Sequence, residues 1–531
     1  MAEASLFGSE IRPREFPNHP SHFTEYGHLD PAVCHGRTGS RLGGYLPAVD
    51  ERMIEVYRRA ENPYDWRQLH DIWLGRVACE ARSGGAERSD LIELWRSSRP
   101  LRSVGQQEIL SSPATVRLIK ELFNTFFRDE LYGSRRARAE VILSSGAIDE
   151  QAFGLSEVLK DCLRYALTRD WYGYSDSRGR LASRQAIAAL ENQRLGVARY
   201  DHANVALTLG GTFTVNAIAD FLLSDRSKND APALVAIPNY PPLVQSIARR
   251  SSLNLVPLPC INGVVSLTPL IDQLRRDTPL VFLQTVNNPT GGAVDETDLA
   301  ALINRASPHT TVVLDECHEC LGMIEHRTSM RAAANVVRIS SLSKSWAAPG
   351  MKVGWIVADA TFIADYYEFA STSYGGPPSF FCLLVETLAR MARWMLAGVT
   401  EVGSAEHAEF EPAYGLAAGR LCEAYAVYRA DRRNVERRLF ELRERSVDLL
   451  LCVEADVLPP QHSINATLAF SEWSDSYVCF RDLLHGTGVS FLPGILTFCF
   501  SGPVMRMTTA RPWADLEQAA RRLAGRFDAK A

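Results

Sequence analysis

From about residue 141 onward, two hydrophobic rhythms alternate along the chain. Short, nearly unbroken apolar runs stand at "NVALTLGG", "APALVAIPNY", "PLVFLQTVNNPTGG", "TVVLDECHE" and "VVRISSLSKS". Between some of them lie segments of helical period, such as "TFTVNAIADFLLSD" and "PPLVQSIARRS". A short apolar run predicts a strand buried on both faces, and a period near about 3.6 predicts a helix packed on it. The βαβ rhythm therefore predicts a mainly parallel, doubly wound sheet with helices on both faces. Each predicted strand ends in polar residues. In such sheets ligands bind beyond the carboxyl ends of the strands, so these polar tips are expected to converge.

The flanks differ. Residues 1–45 are rich in Pro, Gly, His and Ser with little periodicity, and read as an extended arm. Residues 50–131 turn helical, most clearly in "SPATVRLIKELFNTFFRDEL", where Ser111 or Ser112 is placed to cap a helix. Near the other end, "YAVYRADRRNVERRLFELRER" and "PWADLEQAARRLAGRF" predict two more helices, with short strands between them. The expected division is an N-terminal extension (1–131), a large domain (176–395), an insert (396–419), and a smaller α+β domain from 132–175 and 420–531.

Composition narrows the classes. A chain of 531 residues is too long for one core, and 46% hydrophobic with 22% charged residues is ordinary for a folded protein. The net charge of -5 gives no electrostatic reason to expect nucleic acid or an anionic membrane as partner. The apolar stretch 380–399 is interrupted at helical spacing by Glu386, Arg390 and Arg393, so it reads as an amphipathic helix and not a membrane span. No signal-peptide order precedes residue 45, and the 11 scattered cysteines read as reduced thiols. The expected location is the cytoplasm.

The strand tips carry the candidate chemistry. Gly210–Gly211–Thr212 opens a helix, whose free N–H groups favour an anion. Asp315 follows "TVVL", where a carboxylate is expected to face a cation. Lys344 lies past another strand, where partial desolvation makes a lysine a nucleophilic amine able to form imines. Each tip alone is a weak signal. In order, GGT, NYP, NNPTGG, DECH, SLSK with PGMKVGW, and MRMTTA, they resemble the fold-type-I, class I/II aminotransferases over roughly residues 145–527.

That resemblance implies an aspartate-aminotransferase-like fold with a seven-stranded-type sheet, pyridoxal 5′-phosphate as cofactor, and a set of roles. Lys344 matches the lysine that holds the cofactor as a Schiff base and moves the proton at the substrate Cα. Asp315 matches the acid paired with the pyridine nitrogen, and Asn288 the amide on the phenolic oxygen. Tyr240 matches the aromatic ring stacked on the pyridine face. Gly211, Thr212, Ser341 and Ser343 match the phosphate-binding groups. Tyr174 matches the tyrosine that reaches the phosphate in the neighbouring subunit, which implies a homodimer with shared sites. Arg506 matches the arginine that grips the substrate α-carboxylate, and Gly146 the small residue of the loop closing over substrate.

Two positions depart from the pattern. His318 stands where the family commonly has a tyrosine donating to the phenolic oxygen. Imidazole can donate that bond, and with an unperturbed pKa of about 6.5 it can also act as an acid or base. Lys352 stands where an arginine usually pairs with the phosphate, keeping the charge but losing the bidentate fork. Cys317, His318 and Cys320 lack a second Cys/His pair at zinc spacing, so no metal is expected.

Three functions are weighed. The first is amino transfer from an α-amino acid. The second keeps the cofactor but eliminates or replaces at Cβ or Cγ, as in the related 1-aminocyclopropane-carboxylate synthases that use S-adenosylmethionine. The third is a transcription regulator with an aminotransferase-like sensing domain. It needs a basic recognition helix within residues 50–131, where positive and negative residues balance instead.

Overall fold

Strands form where the uninterrupted apolar runs stand in the sequence. The computed structural model describes residues 6–7, 39–82, 88–131, 138–224, 231–319 and 326–525. The chain divides into two compact units, each made of separate stretches: 1–23, 148–221 and 311–440 in the first, 24–147, 222–310 and 441–531 in the second.

The first unit holds four strands in the spatial order Val205–Thr208, Gly354–Val357, Val336–Ser341, Thr311–Asp315. The last two run parallel, with Leu314 opposite Arg338 and Asp315 opposite Ile339. Gly354–Val357 is antiparallel to both of its neighbours. The apolar-run reading did not isolate this strand. It is short, and Gly354 at its start is demanded by crowding, since a Cβ there would lie 2.7 Å from Ser340 O and 3.0 Å from Gly210 Cα.

Around these strands the helices Leu181–Leu195 and Cys382–Leu396 pack on one another. Their buried Ile187, Leu190, Leu384 and Trp394 join Val205, Trp355, Tyr425 and Tyr428 in one core. Burying each such side chain stabilises the fold by about 1.5–3 kcal/mol. Cys382–Leu396 is the amphipathic helix expected at 380–399. Among the described residues no helix is long and apolar enough to cross a membrane.

The second unit holds three parallel strands in the order Leu280–Gln284, Ala233–Ile237, Leu253–Pro257. A separate antiparallel layer is formed by Asp456–Leu458, Asn465–Ala469, Met505–Thr508 and Leu492–Pro493. The helix Trp513–Ala524 lies in the expected "PWADLEQAARRLAGRF" segment. Five helices, Glu51–Arg59, Trp66–Glu80, Ser89–Ser97, Gln106–Ser111 and Pro113–Thr125, occupy the N-terminal region read as helical. Ser112, one of the two expected caps, takes Ala114 N at 3.2 Å on its Oγ. The chain then passes into the π-helical turn Phe126–Leu131.

Most of the expected arm lies outside the described residues. Of its described parts, Phe7 N donates to Asp161 Oδ2 at 3.0 Å and its ring stacks on Tyr165. Gly44–Tyr45 pairs antiparallel with Cys260–Ile261.

Candidate active site

In the first unit the expected phosphate turn follows the strand Val205–Thr208. Gly210 takes a positive φ of 84°, and the helix Gly211–Leu223 begins at once. Thr214 donates to Gly210 O from both its N–H (3.0 Å) and its Oγ1 (2.8 Å). The N–H groups of Gly211, Thr212 and Phe213 belong to the helix's first turn, which has no intrahelical acceptors to offer them. Gly211 has no room for a side chain, because a Cβ would come 2.9 Å from Cys317 Sγ. Cys317 Sγ in turn lies 3.3 Å from Ser341 Oγ. Gly211 and Ser341, read from separate motifs, are thus brought to one sulfur. Cys317 itself carried no assigned role in the sequence.

Asp315 ends the strand Thr311–Asp315 and is buried, with its Oδ1 accepting from Cys317 N at 3.1 Å. His318 is buried three residues on. Lys344 is half-buried in the short helix Leu342–Ser345, which starts beyond Ser341. Ser343 is half-buried beside it. Lys352 is exposed, at a left-handed φ of 54°. Its Cα lies 3.7 Å from where a Cβ on Gly210 would stand, so its backbone packs against the Gly210 turn. Tyr174 is fully exposed. Cys320 lies outside the described residues.

The second unit gathers Tyr240, Asn288 and Arg506. Tyr240 caps the helix Pro241–Ala248, its N–H donating to Asn239 Oδ1 at 2.8 Å. Arg506 sits inside the strand Met505–Thr508 and is 5% exposed. Its Nη1 donates to Asn288 Oδ1 at 3.2 Å and its Nη2 to Ser144 O at 2.7 Å. Asn465 Nδ2 also reaches Asn288 Oδ1, at 3.4 Å. Ser144 belongs to the loop that carries Gly146, which is half-buried.

Arg506 Nε is buried with no hydrogen-bond partner among the described residues. Burial pushes the guanidinium down to about 10, with Tyr240 opposing the shift. Tyr240 is raised by its own burial, against the pull of Arg506. A buried guanidinium N–H is a donor suited to an anionic acceptor. Asn465 and the Ser144 carbonyl were missed from sequence. A polar residue inside the apolar run "INATLAF" was the one available signal for Asn465.

The fold is that of the aspartate-aminotransferase-like proteins. An aspartate aminotransferase structure from Thermus thermophilus with maleate superposes with a TM-score of 0.59 at 18% identity, covering 80% of this chain and all of that one. At that identity the likeness is one of fold. Residues 139–396 match the family model of aminotransferase class I and II. The valine–pyruvate aminotransferase of Mycobacterium tuberculosis is 27% identical over 404 residues, 74% of this chain and 93% of that protein. The aromatic amino acid aminotransferase of Mycolicibacterium vanbaalenii is 28% identical over 149 residues, but the match spans only 25% of this chain and 41% of that protein. The family match and the fold together support a class I/II aminotransferase-like protein of PLP fold type I.

The family's cofactor is pyridoxal 5′-phosphate, and the residues present fit it. A crowded glycine turn opens a helix for a phosphate, a lysine stands one helical turn past a buried serine, and a buried carboxylate closes the neighbouring strand.

Proposed function

We propose that this protein is a pyridoxal-phosphate-dependent aminotransferase acting on an α-amino acid. The observation that carries the reading is Arg506: a buried cation whose Nε has no partner among the described residues, held in place by Asn288 and the Ser144 carbonyl. A carboxylate is the acceptor that suits a guanidinium fork.

Lys344 is the amine that would hold the cofactor and carry the proton at the substrate Cα. Asp315 would keep the pyridine nitrogen protonated, and Asn288 and His318 would donate to the phenolic oxygen. Tyr240 would cover the ring face. Gly211, Thr212, Ser341, Ser343 and Lys352 would hold the phosphate, and Gly146 would lie in the loop over the substrate. Bound there, the cofactor supplies an aldehyde that condenses with amines and a cationic ring that draws electrons from Cα. The full exposure of Tyr174 supports its use by a second copy, so the working unit in this reading is a homodimer.

The test is a panel of amino acids, S-adenosylmethionine included, each offered with 2-oxo acids, with products identified by mass. Amino transfer predicts a new 2-oxo acid and a new amino acid in equal amounts. Methylthioadenosine or another elimination product without amino transfer would replace this reading with the lyase one.

A further inference from the structure

The turn that carries Asp315 and His318 is held from behind by a buried ionic cluster. Glu316 and Glu319, three residues apart, flank Cys317 and His318. One nitrogen of Arg331, Nη1, donates to both of them: to Glu316 Oε1 at 2.8 Å and to Glu319 Oε1 at 2.5 Å. Arg338 grips Glu316 with two bonds, Nε to Oε1 at 2.8 Å and Nη2 to Oε2 at 2.7 Å. Its Nη2 also reaches Glu191 Oε2 at 2.7 Å, on the helix Leu181–Leu195. Arg327 Nε holds the other oxygen of Glu319 at 3.0 Å. The side chains of Arg331, Arg338, Glu191 and Glu316 are at most 3% exposed.

Such a cluster is a poor device for stability alone. Desolvating ions costs about as much as their attraction returns, and apolar side chains of similar volume often do as well. What it supplies is fixed geometry. Arg331 ties the two ends of the turn to one point, and Arg338 ties its start to the adjacent strand and to a helix. The backbone agrees, with Glu316 N on Ile339 O at 2.9 Å and Glu319 N on Glu316 O at 3.1 Å. Asp315 and His318 lie just outside and just inside this staked chord, so the backbone that carries them is held by it.

We infer that Arg331 and Arg338, acting through Glu316 and Glu319, are positioning residues that aim Asp315 and His318 at the pyridine edge of the cofactor. The inference rests on the reading of Asp315 as the pyridine partner given above.

Three full-length variants test it: Arg331→Lys, which keeps the charge but cannot hold both glutamates with the same geometry, Glu319→Gln, and Asp315→Asn as reference. Each is stripped of cofactor and titrated with pyridoxal phosphate, and the circular dichroism of the bound cofactor's visible band is recorded beside the thermal midpoint. Groups that orient a ligating side chain typically alter ligand affinity by roughly tenfold or more, so Arg331→Lys and Glu319→Gln are expected to bind about tenfold more weakly with a reduced visible signal. A merely structural role would move the midpoint and leave the visible signal of the folded protein unchanged.

The inference is overturned when folded Arg331→Lys and Glu319→Gln both hold the cofactor within about twofold of the parent and with its spectrum, while Asp315→Asn binds weakly. If Arg331→Lys does not fold, Glu319→Gln decides by the same criterion. If Asp315→Asn also binds like the parent, it is the assignment of the site itself that falls.

Discussion

Arg506 shows what a single residue contributes. A buried donor left without an acceptor costs about 1–3 kcal/mol, and more on a charged group, so an anion docking on Nε offsets a strain already present. A saturating 2-oxo acid is therefore expected to raise the thermal midpoint by about a few degrees, as a ligand at about 100 times its Kd adds roughly 2.7 kcal/mol. The rise should vanish in Arg506→Met. Arg506→Lys keeps the charge but loses the fork, and kcat/KM for the amino acid should fall roughly 10–100-fold. Equal kcat/KM in wild type and Arg506→Lys would place the carboxylate elsewhere. Lys344 answers to a different measurement. Lys344→Ala should retain the thermal midpoint, because the side chain is only half-buried in a four-residue helix. It should lose the visible band of the bound cofactor, and kcat should drop by about 10²–10⁴ or more. A retained band would remove Lys344 from its assigned role.

At the scale of elements, the helix Pro113–Thr125 links the N-terminal region to Tyr240. Phe123 meets Tyr240 edge-on, with ring centroids 5.5 Å apart and planes at 80°, and Phe127 lies 4.7 Å from Phe123. Phe123→Ala should cost about 3–5 kcal/mol of stability. It should also raise KM for the amino acid, because Tyr240 loses the ring that orients it. Ser112→Ala removes the helix cap and a bond to the buried Tyr57, for about 1 kcal/mol or more, and should leave KM unchanged. If both variants shift KM alike, the helix acts through stability alone. The elements most legible in the sequence were those with a local signal: five apolar runs, a serine cap and "YAVYRADRRNVERRLFELRER", which lies within the helix Ala418–Cys452. Gly354–Val357 was not legible, since four residues after a left-handed Lys352 give too short a pattern. The site divides the same way. Lys344, Asp315, Asn288 and Arg506 stood out because short motifs came in a known order. Arg338 did not, because its partner Glu191 is 147 residues away and no local pattern records such a pairing. Asn465 was hidden for the same reason.

For the whole molecule, the question is whether residues 1–131 are an appendage or part of the fold. Residues 24–147 fall in the same compact unit as Tyr240, Asn288 and Arg506. Leu69 and Val77 on one helix, and Val116, Leu118, Ile119 and Leu122 on another, have no solvent exposure at all. Each such burial contributes about 1.5–3 kcal/mol, so together they supply on the order of 10 kcal/mol. That is comparable to the entire stability of an ordinary protein, about 5–15 kcal/mol, even after allowance for a partly compact unfolded chain. Arg76 adds a polar tie, its buried Nη2 donating to Asp475 Oδ2 at 2.7 Å. Losing it would leave Asp475 with only the N–H groups of Tyr477 and Val478 that it caps. A chain beginning at residue 132 is therefore expected to be insoluble, or to show far-UV but no near-UV circular dichroism and no cooperative melting transition. A regulatory head joined by a linker behaves oppositely: its removal leaves a body that melts at the parent's temperature and still binds the cofactor. That result would overturn the integral reading, and it would return residues 1–131 to the status of a separate module.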